Sequence, residues 1–301
     1  MGSAAEQLGG NITHSLGLTL PESVAEIKQR LQTATDLILP LDEVLDLLQQ
    51  LTEFELGRFL LQNRGLNGKW IKHIVLSDEN TSGLHPLEYW ICNKCPGMVC
   101  GKQRYRYFQD ITRENLRDGM ALANIPAGEM DVLYSIDTHA YSDISITGLD
   151  IDPEAIAAAR QNMKNYNINA VVDLQIGDAW NMQFSEEFDI LLSNGLGFYV
   201  ADDNNLKALY NKFYQAIKPG GLIVTSFVTP NPRLDPNSPW QGYEEHDIKK
   251  QISIFVDILQ STFLNYRTEQ TMRKLLTHVG FKDINVLYDE FHIFPTITGV
   301  K

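Results

Sequence analysis

Four short segments in the middle of the chain combine an acid or amide with small residues, each closing an apolar run. They are Asn124-Ile125-Pro126-Ala127-Gly128-Glu129-Met130, Gly148-Leu149-Asp150-Ile151-Asp152, Gly177-Asp178-Ala179 and Ser193-Asn194-Gly195. A small-residue turn such as Pro126-Ala127-Gly128 lets backbone approach a ligand, and a helix after it offers its first amides to a carboxylate or phosphate. Asp150 follows Gly128 by twenty-two residues, and an acid at such a strand tip is placed to accept from two ribose hydroxyls, with Ile151 beside it. Asp178 can accept from an exocyclic adenine amine while Ala179 flanks the ring. Taken singly these features are ordinary: Asp152 reads as a helix cap, and Pro219-Gly220-Gly221 as a helix stop. Their order and spacing together are far more specific than any one of them.

The elements that must position these residues are legible as alternation. Apolar, strand-like runs fall at 120–126, 144–151, 171–176, 188–193 and 222–227. Helical spacing fills 128–136, 153–165 (Pro153 at its first position) and 205–218, with Leu206, Leu209, Phe213 and Ile217 inward. Strands alternating with helices of this length predict a parallel sheet covered on both faces. Four prolines between 230 and 239 predict an extended loop, followed by a long helix at 245–264 and another at 269–279 closed by Gly280. Two apolar runs, 284–288 and 291–298, separated by Asp289-Glu290, predict a closing hairpin.

The first third differs. Residues 1–20 lack a period and predict a loose arm. Residues 21–116 are helical and carry no nucleotide fingerprint. Val44, Leu45, Leu47, Leu48 and Leu51, then Leu56, Phe59, Leu60 and Leu61, are spaced for helices buried on most of their circumference. Residues 70–76 suit a helix or a strand. The expected organisation is an arm (1–20), a helical cap (21–116) and an α/β domain (117–301) with an insertion or lid at about 229–264.

Composition narrows the partners. Thirty-eight acids against twenty-five bases give a net charge of −13, which repels phosphate backbones and argues against a nucleic-acid ligand. No run of eighteen apolar residues exists, so no membrane span is expected. The start, Met-Gly-Ser-Ala-Ala-Glu, has neither a basic n-region nor an apolar core. Three cysteines point to a reducing compartment, hence a cytoplasmic protein. Cys92 and Cys95 form a C-x-x-C, but no second pair stands at zinc spacing, so no metal is expected.

The strand-end segments resemble those of the class I S-adenosylmethionine-dependent methyltransferases. Gly148-Leu149-Asp150-Ile151-Asp152-Pro153-Glu154-Ala155-Ile156 with Ala159-Arg160 is similar to the family's second motif. Gly177-Asp178-Ala179 is similar to its third, Phe188-Asp189-Ile190-Leu191-Leu192-Ser193-Asn194 to its fourth and Ile217-Lys218-Pro219-Gly220-Gly221 to its fifth. The resemblance covers about 120–227 plus the closing hairpin. It implies a doubly wound, mostly parallel, Rossmann-like seven-stranded sheet with an antiparallel last strand at 291–298. It also implies S-adenosyl-L-methionine as cofactor, held by Asn124, Pro126, Ala127, Gly128, Asp150, Ile151, Asp178, Ala179 and Asn194. The first motif departs from the family's acid followed by Gly-x-Gly-x-Gly: Asn124 replaces the acid and only the middle glycine, Gly128, is present. An alternative first motif at 131–137 offers an acid without a glycine and leaves too short a helix before Asp150.

The implied reaction is in-line methyl transfer to a small-molecule acceptor. Absence of the two prolines after Asn194 separates the chain from the family's nucleic-acid amino-methylating members. Tyr199, Trp240, Tyr243 and His246 are the expected acceptor-pocket residues, with His246 or Tyr199 as a candidate base if the acceptor carries a proton. The alternative for the His246 segment is a surface helix whose first-turn acids suit the macrodipole. The Arg104-Tyr105-Arg106-Tyr107 cluster reads as an exposed basic helix face or as a reach toward the cofactor carboxylate. Two rival functions stay open: a non-catalytic S-adenosylmethionine-binding sensor or scaffold, and a nicotinamide-dependent dehydrogenase, which Pro126 and Met130 disfavour by spoiling the glycine turn. The acceptor, the atom methylated and the oligomeric state are not legible.

Overall fold

The computed structural model describes residues 18–77, 83–134, 136–261 and 265–301, so most of the expected arm lies outside the described residues. The chain divides into two compact units. One takes Gln103–Trp240 and Leu264–Lys301, the other Asn11–Lys102 and Gln241–Phe263, in each case over the described residues.

The first unit is built on a seven-stranded sheet of order β3-β2-β1-β4-β5-β7-β6. Its strands are β1 (Ala121–Asn124), β2 (Ser145–Asp150), β3 (Val171–Ile176), β4 (Phe188–Ser193), β5 (Ile217–Ser226), β6 (Lys282–Leu287) and β7 (Thr296–Val300). β1 to β5 are parallel, while β7 runs antiparallel to both β5 and β6. The sequence order reverses between β1 and β4, which makes the crevice at their carboxyl ends the switch point where ligands of such sheets bind. Each face has its own core. Ile156 and Ala159 of helix Pro153–Asn165 join Leu122, Ile146, Ile190 and Leu192 on one face. Leu206, Leu209 and Phe213 of helix Asp203–Ala216, with Met272 and Leu276 of helix Glu269–Val279, join Ala123, Leu191 and Ile223 on the other.

Several expected boundaries move for identifiable reasons. The helix after β1 is a single turn, Asp131–Tyr134, rather than 128–136. Ile217 begins β5 instead of ending a helix, and Pro219-Gly220-Gly221 lies inside that strand, where register with β4 shifts. A side chain at Gly221 would stand 2.7 Å from Ile217 Cγ2 and 2.9 Å from the Asp189 carbonyl, so this tight strand entry needs glycine. The last strand starts at Thr296, not 291. Asp289 accepts the N–H groups of Phe291 (3.2 Å), Ile293 (2.9 Å) and Phe294 (2.6 Å) and folds that stretch into a loop.

The second unit is helical: Leu20–Thr33, Leu41–Leu51, Glu55–Asn63, Gly68–Leu76, Pro86–Asn93, the start of Pro96–Asn115, and Glu245–Ile252. The segment left open at 70–76 is helix, capped by Asn67, whose side chain accepts from the Trp70 N–H. Its core holds Leu31, Val44, Leu48, Leu51, Leu56, Leu60 and Leu61 together with Ile254, Ile258 and Leu259. The expected long helix at 245–264 is shorter, widening into a π turn at Ser253–Ile258; residues 262–264 lie outside the described set. Arg30 donates to the Asp257 and Ile258 carbonyls, each at 2.6 Å, a long-range tie invisible to helical periodicity. Cys92, Cys95 and Cys100 are buried, and burial pushes the Cys92 thiol up to about 11 and Cys95 to about 12, so both are neutral packing groups. Among the described residues no cluster of His, Cys, Asp or Glu is placed to hold a metal, and no helix is long and apolar enough to cross a membrane.

Candidate cofactor and acceptor site

The carboxyl ends of β1, β2 and β3 are laced together by backbone. Ala127 N–H donates to the Leu149 carbonyl and Gly177 N–H to the Asp150 carbonyl, each at 2.8 Å. The turn after β1 lies directly on β2: a side chain at Gly148 would meet Leu174 Cδ2 at 2.8 Å, Met130 Sδ at 3.0 Å and Ala127 Cβ at 3.1 Å. Gly128 takes φ +51 and faces open space, with nothing within 4 Å of a Cβ built on it.

Asp150 is 9 % exposed. Its Oδ2 accepts the Gly128 N–H at 2.8 Å and its Oδ1 the Asp152 N–H at 3.0 Å. Burial pushes this carboxyl above the usual range, and these backbone donors pull it back. A carboxylate offers about four lone-pair sites, so two such bonds leave room for ribose hydroxyls. Ile151, next along, is 38 % exposed. At the end of β3, Asp178 accepts from the Trp180 N–H (3.0 Å) and from Asn181 Nδ2 (2.8 Å), with Ala179 buried beside it. Asp152 caps helix Pro153–Asn165 by accepting from the Glu154 N–H.

The β1 and β4 ends carry amides instead of acids. Asn124, 5 % exposed, donates through Nδ2 to the Ala127 carbonyl at 2.9 Å, while its buried Oδ1 has no partner. Asn194 Oδ1, just past β4, is likewise buried without a partner. Register places Asn124 opposite Leu192, so Asn194 extends the same face two residues further on. Two unsatisfied acceptors beside the switch point suit a cationic donor such as an amino-acid ammonium. The donor set therefore fits S-adenosylmethionine: acids for ribose and adenine, amide oxygens for the ammonium, open glycine backbone between them.

The expected acceptor residues divide between the units. Tyr199 ends the 3₁₀ turn Leu196–Tyr199 after β4, and Trp240 donates through Nε1 to Thr229 Oγ1 at 2.8 Å, both in the sheet unit. Tyr243 and the exposed His246 belong to the helical unit, His246 in the first turn of Glu245–Ile252. Tyr199 is 41 % open, yet burial pushes its phenol up, with the Arg104 charge opposing. Sequence reasoning missed Arg267, 6 % exposed, which donates to the carbonyls of Gly197 and Val200 and to Asp203, fixing the segment that carries Tyr199. An arginine after a polar stretch gives no signal of such a role. The Arg104 cluster is not a uniformly exposed face: Arg106 is exposed, but Arg104 rests on the rings of Phe198 and Phe294.

Residues 125–221 match a methyltransferase domain family. A solved Bordetella parapertussis protein, described as a possible exported protein, is 34 % identical over 94 % of this chain and 95 % of its own, with a TM-score of 0.87. Phosphoethanolamine N-methyltransferase 3 of Arabidopsis thaliana is 24 % identical over 44 % of this chain, which spans only 28 % of that relative's length. The magnesium protoporphyrin IX methyltransferase of Synechocystis, solved with bound S-adenosylhomocysteine, shares the fold at a TM-score of 0.52 and 13 % identity, over 78 % of this chain and 94 % of its own. Residues 125–221, about a third of the chain, thus match a methyltransferase domain, and the fold around them is shared with an S-adenosylhomocysteine-bound methyltransferase.

Proposed function

We propose that the protein is a cytoplasmic enzyme that transfers a methyl group from S-adenosylmethionine to a small-molecule acceptor. The observation that carries this reading is Asp150, a buried carboxylate at the tip of β2 tied to the Gly128 N–H. In this assignment Asp150 accepts from the ribose hydroxyls beside Ile151, and Asp178 and Ala179 receive the adenine. Pro126, Ala127 and Gly128 lie under the cofactor's middle, and the Oδ1 atoms of Asn124 and Asn194 take its ammonium. Bound there, the cofactor supplies a sulfonium-activated methyl group.

Little acid–base chemistry is then required of the chain. In-line displacement gains most from alignment and from exclusion of water, to which Tyr199 and Trp240 of the sheet unit are assigned. Tyr199 is the assigned base for an acceptor that must lose a proton. The acidic, cysteine-poor composition supports the cytoplasm and a small acceptor without nucleic acid or membrane.

Calorimetry with S-adenosylmethionine, S-adenosylhomocysteine and NAD tests the assignment: the two sulfur compounds bind and NAD does not. Turnover of S-adenosylmethionine against a panel of small acceptors separates an enzyme from a sensor. Tight NAD binding with no response to either sulfur compound overturns the reading.

A further inference from the structure

Outward from the β1–β4 crevice, over the ends of β5, β7 and β6, a second cavity of about 420 Å³ opens. Three segments of the sheet unit wall it. The loop after β5 contributes Pro230, Asp235 and Pro239, helix Glu269–Val279 contributes Glu269 and Arg273 from its first turns, and Tyr288 follows β6. β5 and β6 both run antiparallel to β7, so they end on the same edge. None of these residues is assigned to cofactor or acceptor. The loop is closed on itself. Ser238 Oγ donates to the Pro230 carbonyl at 2.6 Å and Trp240 Nε1 to Thr229 Oγ1 at 2.8 Å, while the Leu234 and Asp235 N–H groups donate to the Asn231 carbonyl at 3.0 and 3.1 Å. Such a wall is preformed, and the volume falls within the range of small-molecule sites, about 300–1,000 Å³.

The polar groups of this cavity aim one another. Both oxygens of Glu269 are engaged: Oε1 accepts from Arg273 Nε at 2.6 Å and Oε2 from the Tyr288 hydroxyl at 2.5 Å. Arg273 Nη1 donates to the Ile284 carbonyl at 2.6 Å. Two of the three guanidinium nitrogens are thus held, which fixes the plane, and the third, Nη2, has no partner among the described residues. On the loop, Asp235 Oδ1 accepts the Asn237 N–H at 2.8 Å, and Oδ2 has no partner among the described residues. The cavity therefore offers one cationic donor and one anionic acceptor, with the Tyr288 ring and two prolines as apolar surface. An anion alone on Arg273 would also meet Asp235 and Glu269, and a cation alone on Asp235 would meet Arg273. A ligand that carries both charges complements both groups.

We propose that this cavity is a second small-molecule site that takes a zwitterion, an amino acid or a compound of that chemistry. Its carboxylate lies on Arg273 Nη2, its ammonium on Asp235 Oδ2, and its side chain packs against Tyr288, Pro230 and Pro239. A charge-assisted hydrogen bond at each end is stronger than a neutral one, and the pair fixes the direction in which the ligand lies. The site is independent of the methyltransferase assignment, since no group in it is asked to hold the cofactor.

The test is protein-observed NMR on the full chain, titrated to millimolar L-phenylalanine, 3-phenylpropionate and phenethylamine, which share one body and carry both charges, the carboxylate alone and the ammonium alone. L-phenylalanine binds about tenfold or more tighter than either of the others. Its first effects fall on the amides of Asp235, Gln270 and Tyr288. Asp235→Asn brings L-phenylalanine down to the level of 3-phenylpropionate, and Arg273→Gln brings it down to that of phenethylamine. No binding of L-phenylalanine, equal binding of the three compounds, or an undiminished preference in either variant overturns the inference. So does binding whose effects fall on Gly128 and Asp150 instead, because that places the compound in the cofactor cleft. Should Arg273→Gln not fold, having lost its hold on Glu269 and Ile284, Asp235→Asn decides together with the wild-type comparison, since it removes a charge without changing shape.

Discussion

The two ends of the sheet's carboxyl edge solve different problems. At β2 and β3 the polar groups are already engaged: Asp150 and Asp178 each hold two hydrogen-bond donors. A ligand arriving there adds to a network that is preformed. At β1 and β4, Asn124 and Asn194 each keep a buried carboxamide oxygen with no donor. A buried acceptor left unmade costs about 1–3 kcal/mol, so this half recovers free energy when a donor arrives. In the proposed assignment the first end serves the adenosine part of the ligand, and the second discriminates by what the ligand carries beyond the sugar.

The largest expected effect is on the first end. Asp150→Ala removes the ribose acceptor and weakens S-adenosylhomocysteine binding by about 1.5–3 kcal/mol, tenfold or more, by calorimetry. Unchanged affinity would end the assignment of that half. Gly148→Ala tests whether the two ends are mechanically joined. The new methyl overlaps Leu174, Met130 and Ala127, and such overpacking costs about 1–3 kcal/mol in denaturant unfolding. It also displaces the Gly128 turn, so cofactor affinity falls with stability; a loss of stability alone would separate the turn from the site.

Asn194→Ala sharpens the comparison directly. It removes one acceptor worth about 0.5–1.5 kcal/mol, so S-adenosylhomocysteine weakens severalfold while adenosine, lacking the ammonium, binds as before. Equal losses for both ligands would contradict the division into two ends. The smallest effect is on pH dependence without ligand. Because burial raises the folded-state pKa of Asp150, the folded protein holds this proton more tightly than the unfolded chain, whose carboxyl titrates near about 3.9. The ionised group's penalty is absent below that value, grows as pH rises, and is complete above the raised folded pKa. Asp150→Asn therefore flattens this part of the stability profile and stabilises the ligand-free protein at neutral pH. Cofactor affinity of the wild type falls as pH drops through the same window.

The sheet was legible because its elements announce themselves locally. Pro153 begins a helix that Asp152 caps, and β1 to β4 each end at, or one residue before, an acid, an amide or a glycine. The seven-stranded order with its antiparallel β7 follows the family resemblance. What escaped the sequence is what depends on distant partners. Asp289 reads as a break between strands and is in fact a hub for three N–H groups; Arg267, which gives no sequence signal, is buried on carbonyls. The π turn at Ser253–Ile258 exists alongside Arg30, more than two hundred positions away in the chain. Periodicity carries no record of such pairings.

The helical unit is assembled from two stretches that the sheet unit separates. Ile27, Leu31 and Leu48 emerge early from the ribosome, while Ile254, Ile258 and Leu259, which share their core, emerge only near the end of synthesis. Joining them across an unfolded intervening chain means closing a loop of roughly 140 residues, an entropic cost of about 4 kcal/mol. A folded sheet unit shortens that loop to the span between its own chain exits at 103 and 240. Neither unit can therefore close in sequence order: the helices translated first wait for Ile254, Ile258 and Leu259, and the sheet waits for β6 and β7, which are translated after them.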